Sequence, residues 1–299
     1  MVQEESSPSG SSVLPQHDTV KESLGTLLRR YGLHARKTLG QHFLSDPGLL
    51  DKIVAAAELP PEASVLEIGA GPGLLTRRLA AVARRVVAVE LDDGLVLLLR
   101  RELAHLANVT IVHGDILKLD VPALIEAPYA VVANLPYYIT SAVLRQLLQC
   151  VPPPFRLVLT VQREVAQRIV ATPGQLSLLA VSVQFYGRPY IVMRIPAGAF
   201  VPPPQVDSAV LRIDMYERPP VDVPSPEYFF RVVRAGFSQR RKQLHNALSA
   251  GLSLSTKQTA ALLSAAGIAP SRRAETLSLA EWAALTRALA RLPLQSTSG

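Results

Sequence analysis

The sequence predicts an α/β protein, a doubly wound parallel sheet followed by a small all-helical domain, on three observations. Five apolar, β-branched runs recur along residues 64–161, helical patterns separate them, and a glycine loop follows the first run. Strands buried on both faces read as continuous apolar runs, and their alternation with helices requires parallel crossovers. Ligands of such folds bind outside the carboxyl ends of the strands.

The strands are expected at 64–68, 85–90, 109–113, 129–133 and 157–161, with helices at 74–82, 94–103 and 141–149. Two further strand-like runs, 182–185 and 207–214, flank the connection Phe200-Val-Pro-Pro-Pro-Gln-Val-Asp207 and would form an antiparallel pair closing one edge of the sheet. Residues 217–226 hold four prolines and read as a hinge. Beyond it, helical patterns cover 227–237, 240–248, 256–266 and 280–292. The organisation is therefore a polar, disordered tail over 1–25, an α/β domain over 26–218 and a helical domain over 225–299.

Composition sets outer limits on function. With 48% apolar and 18% charged residues in 299, the chain can bury a core, which excludes global disorder. The single cysteine, Cys150, cannot form an internal disulfide, and it is expected to fill space beside the fifth strand. The six histidines form no H-x-H or H-x-x-x-H pair, so no metal site is expected. The uncharged stretch 127–144 is broken by Pro128, Asn134 and Pro136, so no membrane span is expected. Glu4 and Glu5 without any Lys or Arg in the first 18 residues are unlike a signal or transit peptide, and a cytoplasmic protein is expected.

The net charge of +7 is concentrated in two places. Residues 29–37 carry four formal positive charges and residues 231–245 carry five, neither with an acid, which leaves the remainder slightly acidic. Two basic patches on a near-neutral body suit a polyanionic partner, nucleic acid above all.

The glycine loop Glu67-Ile-Gly69-Ala-Gly71-Pro-Gly73-Leu74 joins a strand to a helix. Glycines permit a tight turn and close approach of a ligand to the backbone. A dinucleotide fingerprint would need Gly or Ala at position 74, where this chain has leucine, so NAD is disfavoured. Glu90 ends the second strand, where a carboxylate can accept hydrogen bonds from ribose hydroxyls. Asp115 ends the third and is placed to accept from an adenine amine. Each alone is an ordinary strand end or turn. In order, they describe a nucleoside pocket without a phosphate-gripping lysine, as S-adenosylmethionine requires.

The fourth strand runs into Asn134-Leu135-Pro136-Tyr137. An aromatic exocyclic amine is a poor nucleophile because its lone pair is delocalised into the ring. If the Asn134 side-chain oxygen and the Leu135 carbonyl accept its hydrogens, the nitrogen is drawn toward tetrahedral geometry and can attack a sulfonium methyl. Pro136 fixes the turn. Tyr137 offers a ring on which an extruded base can lie.

These motifs resemble the small-subunit rRNA adenine N6,N6-dimethyltransferases. The resemblance also rests on Leu39-Gly-Gln-His-Phe-Leu44, Gln162-Arg-Glu-Val-Ala166, Phe200-Val-Pro-Pro-Pro-Gln-Val-Asp-Ser-Ala-Val210 and Phe237-Ser-Gln-Arg-Arg-Lys-Gln-Leu244, and it spans residues 36–291. It implies a Rossmann-like class I S-adenosylmethionine-dependent methyltransferase domain with a helical RNA-binding domain. It also implies four methyl transfers to two adjacent adenines near the 3′ end of 16S rRNA, on the small ribosomal subunit or an assembly intermediate of it, by a monomer. Carried onto matching positions, the cofactor contacts would be His42, Leu44, Gly69, Gly71, Glu90, Asp115 and Asn134. Asn134, Leu135 and Tyr137 would hold the target base, with Phe200 over its other face. His42 stands where the family often has asparagine, and a titrating imidazole there would make cofactor affinity pH dependent.

Three other readings stay open on the residues. A large-subunit rRNA methylase of the macrolide-resistance type shares the chemistry, and mapping the methylated adenine separates it. A ribosome-assembly or transcription factor would use the fold chiefly for binding, against which an intact Asn134 and glycine loop argue. A DNA adenine methylase would prefer DNA in a direct substrate comparison.

Overall fold

The computed structural model describes residues 23–239 and 241–292. Residues Met1–His34 and Ala35–Gly299 form two units. In the first, helix α1 (Leu24–Arg30) is capped by the Ser23 hydroxyl, which accepts from the Thr26 N–H, and ends on Arg29 and Arg30. Most of the expected tail, residues 1–22, lies outside the described residues, and α1 begins at Leu24.

The second unit is built on a seven-stranded sheet. Its strands are β2 (Ser64–Ile68), β3 (Arg85–Glu90), β4 (Val109–His113), β5 (Tyr129–Asn134), β6 (Arg156–Gln162), β7 (Gly187–Ile195) and β9 (Ser208–Met215), in the order β4-β3-β2-β5-β6-β9-β7. The first five run parallel, as the apolar runs imply. Chain order reverses between β2 and β5, and this switch point opens a crevice at the carboxyl ends of the strands. A two-stranded ribbon of β1 (Phe43–Leu44) and β8 (Phe200–Val201) lies apart from the main sheet.

Period-two alternation divides the core. Leu66, Ile68, Val131, Ala133, Leu157 and Leu159 face one side, packing with α6 (Thr140–Leu148) and α7 (Arg163–Ile169). Val65, Val86, Val132 and Val158 face the other, packing with α2 (Pro47–Ala56) and α3 (Leu74–Ala80). Between β3 and β4 runs α4 (Asp93–Glu102), and α5 (Val121–Leu124) precedes β5. Cys150 is half-buried against the first of these cores, and burial pushes its thiol up from the usual range.

One expectation fails. Residues 182–185 are not a strand but the last turns of α8 (Leu178–Tyr186), started by the Ser177 hydroxyl, which accepts from the Ala180 N–H. The antiparallel edge exists, yet β9 pairs with 187–195 instead. A short apolar run has no periodicity to tell strand from buried helix, and α8 is apolar on both sides because it sits between two cores. Val183 packs into the sheet's core, and Ala180, Val181 and Phe185 pack into that of the helices beyond.

Those helices are α9 (Pro226–Phe237), α10 (Leu244–Leu252), α11 (Thr256–Ala265) and α12 (Leu279–Arg291). Ser225 caps α9 with proline at its first position, and capping boxes open α11 and α12 through Ser255/Gln258 and Ser278/Glu281. Phe229, Val233, Leu248, Leu262, Trp282 and Leu285 form their core together with Phe185 of α8. Helices α9 and α10 touch through Gly251, where an added Cβ would lie 2.7 Å from the Ala235 Cα. Because that neighbour is backbone, Gly251→Ala is expected to part the helices and cost about 1–3 kcal/mol by denaturant unfolding, despite alanine's better helix propensity. An unchanged midpoint would mean the helices are not in contact there.

Candidate active site

At the switch point, a cavity of about 170 Å³ opens where the glycine loop, the ends of β3 and β5, the turn after β4 and residues 39–43 converge. Among the described residues no lysine or arginine lines it, while Glu90 and Asp115 do, so it suits an uncharged or cationic nucleoside rather than a nucleotide polyphosphate. The loop approaches closely because Gly69 and Gly71 take φ of +73° and +56°. A Cβ on Gly71 would stand 3.1 Å from the Phe43 ring. Gly73 has another role: its Cβ would meet Leu99 at 2.9 Å, so it lets α3 pack on α4.

Glu90 organises this wall. Its Oε2 accepts from the Gly71 N–H at 2.8 Å, and its Oε1 accepts from the N–H groups of Leu91 and Asp92, each at 2.9 Å. Burial raises its pKa, and the three N–H bonds oppose the rise. With two bonds on Oε1 and one on Oε2, Oε2 keeps a lone pair for a ligand hydroxyl. Asp115 accepts from the Leu117 N–H through Oδ1, and its Oδ2 stands 3.7 Å from Lys118 Nζ.

Residues 36–44 form a strap across the cavity. Arg36 pairs with Asp92 at 3.1 Å, and Gln41 both donates to Asp92 and accepts from the Arg36 N–H. Asp92 is buried and also caps α4, accepting from Gly94 and Leu95 through Oδ1. At the far end, Phe43 and Leu44 pair with Val201 and Phe200. His42 lies between these anchors. Its Nδ1 stands 2.8 Å from the Pro202 carbonyl, which can only accept, so Nδ1 carries the hydrogen.

The His42 carbonyl in turn accepts from Asn134 Nδ2 at 2.9 Å. With its nitrogen committed, the Asn134 amide has its oxygen left as an acceptor at the cavity wall. Leu135 donates its N–H to the Thr160 carbonyl at 3.2 Å, and no donor among the described residues reaches its own carbonyl. Tyr137 is held at both ends: its hydroxyl and that of Ser208 share a 2.7 Å hydrogen bond, and its ring stacks on His42 with centroids 6.0 Å apart. Phe200 is buried and lines the same cavity.

The structure thus brings His42, Gly69, Gly71, Glu90, Asp115, Asn134, Leu135, Tyr137 and Phe200 to one cavity. Leu44 is not among its lining. It is buried with Leu50 and Leu75 and borders a smaller recess beneath the glycine loop, which shares Gly69, Gly71 and Asn134 with the cavity. Gln162 ends β6 paired with Ser208, and Arg163 pairs with Asp207 at 3.5 Å, which places this motif in support of the Tyr137 anchor.

Three contributors had no role in the sequence reading: Asp92, Ser208 and Glu67. Ser208 stands inside a stretch noted for other residues and Asp92 between a predicted strand and a predicted helix, and only tertiary contacts reveal what they hold. Glu67 borders the smaller recess, fully buried, with no hydrogen-bond partner for Oε2. Burial pushes its carboxyl up to about 8, and the nearby Glu90 adds to the rise. Glu67 therefore stays protonated when folded while its unfolded counterpart ionises from about pH 4.3. Its effect is to lower stability as pH rises from that value to about 8, by on the order of a few kcal/mol. Glu67→Gln is expected to match the wild type near pH 5 and exceed it at pH 8.5 in thermal unfolding. Parallel pH profiles for the two proteins would contradict a neutral buried Glu67.

The sheet order, the glycine loop at its switch point and the acid ending the second strand of the sheet define a class I methyltransferase fold. Within that class, residues 32–291 match the family model described as ribosomal RNA adenine dimethylase, and the chain belongs to this family. It is 49% identical over 258 residues to the ribosomal RNA small subunit methyltransferase A of Dehalococcoides mccartyi, covering 86% of this chain and 89% of the relative. To the protein of that name from Geobacillus kaustophilus it is 43% identical over 277 residues, covering 89% and 94%. Among solved structures it is similar to a dimethyladenosine transferase from Plasmodium falciparum, with a TM-score of 0.72 and 25% identity over 82% of this chain and 96% of that one. It is also similar to the 23S rRNA methyltransferase ErmE, with a TM-score of 0.68 and 30% identity over 83% of this chain and all of that one. No helix among the described residues is long and apolar enough to cross a membrane.

Proposed function

We propose that this protein is a 16S rRNA adenine N6,N6-dimethyltransferase, using S-adenosylmethionine to modify two adjacent adenines near the 3′ end of the small-subunit RNA. The observation that carries the reading is the Asn134 amide, its nitrogen tied to the His42 carbonyl and its oxygen left at the cavity wall beside Leu135 and Tyr137. The identity of 49% and 43% to small subunit methyltransferases, against 30% to a 23S enzyme, supports the small-subunit RNA over the large. We take the protein to act as a cytoplasmic monomer on the RNA or an assembly intermediate of the subunit.

The cavity fits the cofactor. It offers a glycine cradle that a Cβ would fill, a free lone pair on Glu90 and, among the described residues, no cation in its lining to repel a sulfonium. Bound there, S-adenosylmethionine would supply an electrophilic methyl group. Gly69, Gly71, Glu90 and Asp115 would hold it, with His42, Leu44 and the strap across it. Asn134 Oδ1 and the Leu135 carbonyl accept the two hydrogens of the adenine amine, which frees its lone pair from the ring. Tyr137, braced by Ser208, supports the extruded base on one face, and Phe200 covers the other. Once methylated, the nitrogen is cationic and loses its proton to water, so no side-chain base is required. His42 is a bracket in this scheme: its ring nitrogen and its carbonyl tie the strap to Pro202 and Asn134. Basic residues of 29–37 and 231–245 would grip phosphates while the pocket reads one base.

Mass spectrometry of rRNA from cells lacking this protein tests the assignment. Loss of N6-dimethyladenosine from small-subunit RNA is expected, and unchanged small-subunit dimethyladenosine or a loss confined to the large subunit would refute it.

A further inference from the structure

Tyr138 has no part in the chemistry above, and its setting is unusual. Among the described Phe, Tyr and Trp side chains, Tyr138 and Tyr216 are the two that are exposed, at 62% and 37%. Tyr138 alone of the two lines the active-site cavity. It is not a loose surface ring. A Cβ on Gly40 would come within 3.3 Å of its Cδ1, so part of the ring rests on the strap backbone, which turns there at φ +61°. Its own backbone belongs to the 3-10 turn Tyr137–Ile139, closed by the Ile139 N–H donating to the Pro136 carbonyl at 3.2 Å. The next residue, Thr140, begins α6 and is buried.

A rigid, wet aromatic at the mouth therefore adjoins the ring that supports the extruded base, with Cα atoms about 3.8 Å apart. Pulling one base out of an RNA strand deprives its neighbour of a stacking partner. The exposed ring that lines the cavity among the described residues is Tyr138, and stacking of bases on exposed aromatics tolerates any sequence. We propose that Tyr138 is a positioning residue that stacks the nucleobase adjoining the target adenine, which in the substrate above is the second adenine of the pair. This rests on the RNA-methylating reading and adds to it how the neighbouring base is held while the first is modified.

The test uses the full-length protein with labelled S-adenosylmethionine and small-subunit RNA carrying either an intact or an abasic nucleotide beside the target. Tyr138→Ala is expected to raise KM for the intact RNA about thirtyfold, the middle of the range for one lost base stack, with kcat and cofactor affinity little changed. Tyr138→Trp should restore KM. The abasic neighbour should impose the same penalty on the wild type and none further on Tyr138→Ala. A wild-type KM in Tyr138→Ala, or penalties that multiply, would overturn the proposal. If the wild type methylates no adenine even in intact RNA, the functional reading itself fails and this inference falls with it.

Discussion

Asn134→Ala is expected to lower single-turnover methyl transfer by about 10²–10³-fold, the loss typical of removing one preorganised polar group from a reacting centre. RNA affinity should stay within a few-fold, because phosphate contacts elsewhere supply most of it. The substitution has a second consequence. Asn134 Nδ2 also holds the His42 carbonyl, so the strap loses one anchor and cofactor affinity should fall modestly. Asn134→Asp separates the two effects. It keeps an acceptor oxygen but replaces the donor with a carboxylate facing the His42 carbonyl, so its cofactor affinity should be lower than that of the alanine variant. Wild-type turnover in Asn134→Ala, measured with saturating cofactor, would refute the role given to the amide.

Glu90 carries the second large effect. Its carboxylate accepts from three backbone N–H groups, two of them in buried contacts, so Glu90→Ala leaves these donors without a partner. Each such loss costs about 1–3 kcal/mol, and water entering the cavity recovers part of it, so a net destabilisation of about 3–5 kcal/mol is expected in chemical unfolding. Glu90→Gln retains the shape but turns one acceptor into a donor aimed at N–H groups, so it should fold and lose cofactor. A stabilising thermal shift by S-adenosylmethionine in the wild type, absent from Glu90→Gln, is the expected pattern. Equal shifts in both would show that Glu90 does not touch the cofactor.

How much of this could be read before the fold was known depends on where the information lies. The five parallel strands were legible because burial on both faces writes a continuous apolar run. Glu90, Asp115 and Asn134 were legible because a parallel sheet puts successive strand ends at one rim. Residues 182–185 were misread because a helix caught between two cores loses its polar face. The strap was invisible as structure: β1 and β8 are two residues each and pair only with each other, from opposite ends of the α/β domain's sequence. Asp92 and Ser208 act through partners distant in sequence, and Glu67 is set apart only by its burial, so no local pattern marks them. His42 stood out as a departure in side chain, whereas its backbone carbonyl, which any residue would supply, is what orients Asn134.

The most direct measurement is methyl transfer by the purified protein from labelled S-adenosylmethionine to small-subunit RNA or particles, with nucleoside analysis of the product. N6-dimethyladenosine at two adjacent positions near the 3′ end, abolished by Asn134→Ala, is the result this account predicts. Label confined to another base, another adenine atom or the large-subunit RNA would contradict it.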